Sequence, residues 1–410
     1  MSTTNHKRFW NRLTLVNLAL VAFLGATLRT KILFPLPFIE QKNLINAHSH
    51  FAFGAWVTLS FFVLFVYNLL PAERASRSIY QVFFWLLQAT SIGMLLSFPF
   101  TGYGLISISF STGLILVTYA FSWVFIKDLY RSEVARPVRL LALGALLALV
   151  VSSIGPFTLA YILSTKSSNA ILYRDAIYTY LHFQYNGFFT LGVLALFFQH
   201  LLRKQYPVRL SSMQAFAVFV SASVIPSLFL SLLWHPDNGL FKVLAIIGCV
   251  LILASLIYFF RIVKFGTGGA IYTHSLATLF WHFAMLSFIV KTLLQMGTIV
   301  PELGNAVFGY RPIIIGFLHL VFLGFVSFYL LSRYIEDGVF AMRTVFAKMA
   351  LGLFAFGIVA QEVVLMVQGI GLLLGSANPI YHYLLWLISL LLFLGATLVA
   401  IAGRNEKREL

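Results

Sequence analysis

Cysteine is all but missing: Cys249 is the single thiol in 410 residues. That excludes a disulfide framework and any thiolate metal cluster. Charge is scarce as well, at 10% Asp, Glu, Lys and Arg, and acidic residues are the scarcer kind, 12 against 28 basic. A soluble domain carries roughly 25% charged residues, so this chain cannot cover a globule with water-facing side chains. Also absent are a Walker loop, a dinucleotide fingerprint, a low-complexity linker and an evident sequence repeat.

What is present is apolar length. Hydrophobic residues make up 60% of the chain and Phe alone contributes 42. The apolar runs predict twelve spanning helices, at roughly 13–36, 47–70, 80–101, 103–126, 138–163, 178–202, 212–235, 240–263, 271–297, 312–333, 345–375 and 379–402. Each is long enough for a hydrocarbon core of about 30 Å. The break near Pro99 is the least marked. The expected fold is all-α, a polytopic membrane bundle forming one domain over residues 1–410.

The net charge of +16 first suggests nucleic acid, but its distribution argues otherwise. With the N-terminus inside, about 20 of the Lys and Arg fall on the inner side, among them Lys7, Arg8, Arg12, Lys127, Arg131, Lys407 and Arg408. That is the positive-inside asymmetry, and it makes membrane lipid the expected partner, with no nucleic acid. Both termini are then cytoplasmic, and a bacterial inner membrane is the natural location. The basic start before an apolar run also resembles a signal peptide. The run is longer than a signal core and lacks a small-residue cleavage site before Lys31, which favours an uncleaved first helix.

In this topology every even-numbered helix starts outside. His48 and His50 fall near the start of helix two, His182 near the start of helix six and His319 near the start of helix ten. His235 closes helix seven at the same side, followed by Pro236 and Asp237. A histidine within a bilayer is costly and usually turns to the bundle interior. Imidazole is a common ligand of haem iron and of copper, so the layer predicts a shared redox or metal level. The bland alternative is a set of interhelical hydrogen bonds. His48 and His50, two residues apart, point about 200° apart on a helix, so only one can face a given haem. Glu362, in "VAQEVVLMVQG", is the most intramembrane carboxylate and a candidate proton relay. Arg311 and Arg174 precede two of the histidines at the outer helix ends.

Three segments carry a family resemblance. "NAHSHFAFGAW" resembles the low-spin haem helix of the haem-copper oxidase and nitric oxide reductase catalytic subunits. "LHFQYNGFFTLGVLALFF" is similar to that superfamily's first copper-ligand helix, as in cbb3-type oxidases and nitric oxide reductases. "IIIGFLHLVFLGFVSFYLL" resembles the helix bearing its His-x-His pair. The order His48, His182, His235, His319 follows the same plan. A weaker similarity is to the NnrS family of haem- and copper-associated membrane proteins.

The resemblance implies a low-spin b-type haem clamped by His319 and His48 or His50, and a residual copper site at His182 and His235. It implies partners such as a cytochrome c-type or other respiratory subunit, with Arg311 and Arg174 near the haem propionates. The departures are equally specific. Phe317 stands where the high-spin haem ligand would be, Trp234 replaces one copper histidine, and Asn186 replaces the Glu or Tyr four residues after His182. The implied role is electron transfer or assembly in respiration or nitric oxide handling. The alternatives are an oxygen or nitric oxide reductase with replaced ligands, and a twelve-helix transporter without a cofactor.

Overall fold

The computed structural model describes residues 3–235, 238–266 and 271–403. Pro236, Asp237, Lys407 and Arg408 lie outside the described residues. Among those described, twelve helices are long and apolar enough to cross a membrane. They are α1 (Thr4–Leu33), α2 (Gln41–Leu69), α3 (Ser78–Thr101), α4 (Leu105–Tyr130), α5 (Arg136–Ser164), α6 (Ala170–Arg203), α7 (Leu210–Leu232), α8 (Gly239–Lys264), α9 (Ser275–Gly297), α10 (Arg311–Glu336), α11 (Val345–Leu373) and α12 (Ile380–Ala402). The protein is an all-α polytopic membrane bundle. In hydrocarbon a backbone must satisfy its own polar groups, and a continuous helix does so without help from the apolar side chains.

Two spans begin well before the apolar pattern does. α2 starts at Gln41 and α6 at Ala170, because polar turns containing Asn43 and Asn46, or Arg174 and Asp175, extend each helix. His48 therefore lies about 10 Å into its helix and His182 about 18 Å. The break near Pro99 falls where the apolar runs place it: Pro99 lies in the last turn of α3, which ends at Thr101. Gly102 then turns the chain at φ +53°, where a Cβ would also meet Asn43 Oδ1 at 2.6 Å.

The chain divides into two compact units. Unit 1 comprises Met1–Phe121, Tyr272–Ser287 and Pro312–Leu410; unit 2 comprises Ser122–Ile271 and Phe288–Arg311. Within unit 1, α1 packs along α12 and α2, α12 along α11, and α2 along α3. Within unit 2, α7 packs along α8, and α5 along α6 and α7. The histidine helices α2 and α6 are the most enclosed spans, and α4 is the least. Enclosure follows composition: α2 presents bulky apolar groups all round, and Phe61, Phe62, Val63, Leu64 and Phe65 are fully buried.

A repeat that the sequence reading missed emerges from the backbone. Just after the histidines of α2, α6 and α10, the helix widens into a π-helical segment: Ala52–Thr58, Phe183–Phe189 and Leu320–Ser327. Aligned on the hydroxyl residue at or next to the end of each segment, His50, His182 and His319 take equivalent positions. Five residues on stand Ala55, Gly187 and Gly324, then Trp56, Phe188 and Phe325; eight residues on stand Thr58, Thr190 and Ser327. The hydroxyl has a job in two copies. Thr190 Oγ1 donates to Tyr185 O at 2.6 Å, and Ser327 Oγ donates to Phe322 O at 2.8 Å, each reaching a carbonyl five residues back. The small residue admits a neighbouring helix: a Cβ at Gly324 would lie 2.7 Å from Ser287 Oγ. Wide turns of this kind concentrate at functional sites, because they re-aim side chains within an otherwise regular helix.

Candidate functional site

In unit 1, His48 and His319 are close enough for their rings to act on each other electrostatically. His48 Nδ1 donates to Val21 O on α1 at 3.1 Å. His319 Nδ1 donates to Ile315 O, one turn back, at 2.8 Å. Each ring is thus held by its Nδ1–H, and that bond fixes the tautomer in which Nε2 carries a lone pair. No hydrogen bond engages either Nε2 among the described residues. Gly25 on α1 lies against the His48 ring, with a Cβ position 3.4 Å from Cε1. In the first stretch of α10, Arg311 is exposed and residues 312–319 are half-buried. Arg29 on α1 is the guanidinium whose charge reaches the His319 ring.

His50 is turned elsewhere. Its ring stacks on Phe98 at 4.6 Å between centroids and 8° between planes, and its Nε2 shares a hydrogen bond with the Tyr103 hydroxyl at 3.1 Å. Both partners come from the end of α3 and the turn after it. Of the two histidines on α2, His48 is the one close enough to act on His319.

Aromatic and hydroxyl contacts join α2 to α10 further along both helices. Phe53 meets Phe322 edge-on at 4.7 Å. Trp56 Nε1 donates to Ser327 Oγ at 3.0 Å. Trp56 stands eight residues after His48 and Ser327 eight after His319, so this tie sets α2 and α10 in parallel register. Two parallel helices in equal register bring side chains at equal offsets to the same level, which is why His48 and His319 lie at one level.

Unit 2 treats its histidine differently. His182 is fully buried. Its Nε2 donates to Val224 O on α7 at 2.7 Å, and its Nδ1 accepts from Asn186 Nδ2 at 3.1 Å. Lys291 on α9, 2% exposed, donates from Nζ to Asn186 Oδ1 at 2.9 Å and to Thr190 Oγ1 at 3.0 Å. One row of side chains on α6, His182, Asn186 and Thr190, thus binds α7 through a carbonyl and α9 through an ammonium. Both nitrogens of His182 are committed.

His235 sits in a third setting, its Nε2 against the Asp175 carboxylate at 3.0 and 3.1 Å. Beside it Arg174 lies over the Trp234 ring at 4.4 Å. Among the described residues no group of three or more His, Cys, Asp or Glu is arranged to hold a metal ion. In unit 2 both nitrogens of His182 are hydrogen-bonded, whereas His235 is engaged at Nε2 alone, by the Asp175 carboxylate. The donor set in unit 1 does fit a haem, with two neutral imidazoles from two helices, each held at Nδ1 and free at Nε2. Phe317, two residues before His319, offers no ligand atom.

Nothing in the sequence singled out Arg29, and only its charge on the His319 ring gives it a role. Lys291 carried a readable signal, a lysine inside an apolar span, but its partners, on a helix about a hundred residues away, were not readable. In comparisons with known proteins, no protein-family model and no curated protein matches the chain.

Proposed function

We propose that the protein binds one low-spin b-type haem between His48 and His319 and serves electron transfer or assembly in a respiratory or nitric oxide-handling system of a bacterial inner membrane. The observation that supports this reading is the pair of neighbouring imidazoles, each anchored to a backbone carbonyl through Nδ1. A haem held there by His48 and His319 would supply a one-electron couple, which suits electron transfer rather than ligand reduction.

The chain's own residues supply orientation and exclusion. Val21 O and Ile315 O hold the rings and raise the basicity of Nε2. Phe53, Phe322 and the Trp56–Ser327 tie close the helix pair beyond the rings. Arg29 provides a positive charge beside His319 for an anionic substituent such as a propionate. A cytochrome c-type or other respiratory subunit is the partner class such a role requires.

The test is a pyridine haemochrome spectrum with metal analysis on the detergent-purified protein, its His48→Ala and His319→Ala variants, and His50→Ala as the control. One b-type haem per chain, lost with His48 or His319 and kept with His50, and unreactive to carbon monoxide, is the expected result. A carbon monoxide-reactive iron with copper would make the protein a reductase instead. Absence of haem from protein produced with haem in excess would end this reading.

A further inference from the structure

α11 packs beside α10 in the same unit, and two contacts fix their register. A Cβ at Gly316 would lie 3.5 Å from Leu365 Cβ, and a Cβ at Gly369 would lie 3.2 Å from Ile313 Cγ1. The helices run antiparallel, so one turn back from Leu365 corresponds to one turn on from Gly316. That places Gln361 and Glu362 at the level of His319, on the side of α11 that carries Leu365 toward α10. Both lie well inside a 29-residue apolar span.

The polar atoms there are unmatched. Gln361 is 6% exposed. Its Nε2 and the Oε1 of Glu362 are buried, and among the described residues neither has a hydrogen-bond partner. A native interior leaves few such atoms, and each one asks for an explanation. Here a donor and an acceptor on consecutive residues are both unfilled. An ionised carboxylate deep in a span is costly without a counter-charge, whereas a protonated one is merely polar. A proton on the carboxyl removes the buried charge, and a water accepting from the carboxyl O–H and from the Gln361 amide fills both groups.

We propose that Glu362, with Gln361 beside it, is an intramembrane proton-binding site: the carboxyl carries its proton at neutral pH and exchanges it with water that reaches this level of the bundle. The site stands apart from the haem reading, because it needs neither His48 nor His319 as a ligand.

The test is infrared spectroscopy of the full-length protein in lipid, in light and heavy water, on the wild type and Glu362→Gln. A C=O band of a protonated carboxylic acid, lost in Glu362→Gln and shifted down in heavy water, is expected. A second measurement on the wild type alone guards against a misfolded variant. Dicyclohexylcarbodiimide, which attacks protonated carboxyls in apolar surroundings, should modify the Val345–Leu373 segment at Glu362, read by peptide mass. A spectrum without that band, together with an unlabelled Glu362, overturns the proposal. A band that does not move in heavy water also overturns it, since the proton would then be sealed in and structural.

Discussion

His319 in unit 1 and His182 in unit 2 hold the same place in the same motif, each just before a π-helical segment, yet they end in opposite chemical states. His319 spends one nitrogen on a carbonyl of its own helix and keeps the other. His182 spends both, on Val224 and Asn186. The difference traces to two residues. Four positions after His182 stands Asn186, which reaches back to the ring; four after His319 stands Leu323, which cannot. Lys291 then locks the asparagine. A common backbone device therefore makes a ligand-ready ring in one setting and a structural latch in the other. The decision rests on neighbours rather than on the histidine.

The comparison can be broken most decisively at the ligands. His319→Ala or His48→Ala should abolish haem binding, whereas His182→Ala should leave haem content unchanged; pyridine haemochrome stoichiometry reads both. Equal loss in all three would erase the distinction. Next in size is the latch. Asn186→Leu removes one of the hydrogen-bond partners of Lys291 Nζ, leaving Thr190 Oγ1, and takes the donor from His182 Nδ1; it should cost about 1.5–3 kcal/mol, seen as a lower melting temperature in detergent with haem retained. His182→Ala should cost about 1–3 kcal/mol by the same measurement, through the unpaired Val224 carbonyl and Asn186 amide. The register tie is smaller. Ser327→Ala removes the acceptor of Trp56 Nε1, should cost about 1 kcal/mol, and should broaden the haem spectrum as the two imidazoles lose alignment. Smallest is Tyr103→Phe, which deprives His50 of its hydroxyl partner at a cost of about 0.5–1.5 kcal/mol with no change in haem content. A haem loss here would reassign the ligand to His50.

Much of the fold was legible in the sequence, because membrane spans announce themselves by apolar length. All twelve are present, and the break near Pro99 came from Gly102 rather than from the proline. The histidine-bearing helices could be named, but their chemistry could not. Which of His48 and His50 faces α10 depends on Phe98 and Tyr103, which a turn at Gly102 brings over the His50 ring. Nothing in the spacing of His48 and His50 encodes that. The widened turns were invisible for a related reason. A search for helical periodicity assumes one pitch throughout, and the motif that joins His50, His182 and His319 shares more of its geometry than of its letters.

Those widened turns also make each histidine helix a pair of half-helices set at different rotational phases. The apolar pattern before Ala52, Phe183 or Leu320 and the pattern after Thr58, Phe189 or Ser327 belong to different angular settings of one rod. A π segment winds more slowly than an α-helix and takes up about one extra residue over the same rotation. Deleting a single residue inside one would let the backbone relax into an ordinary α-helix while the half-helix beyond it kept its setting. A one-residue deletion in a regular stretch of the same helix has no such slack and would swing everything beyond it by about 100°, so length variation among natural relatives should fall inside these segments rather than beside them.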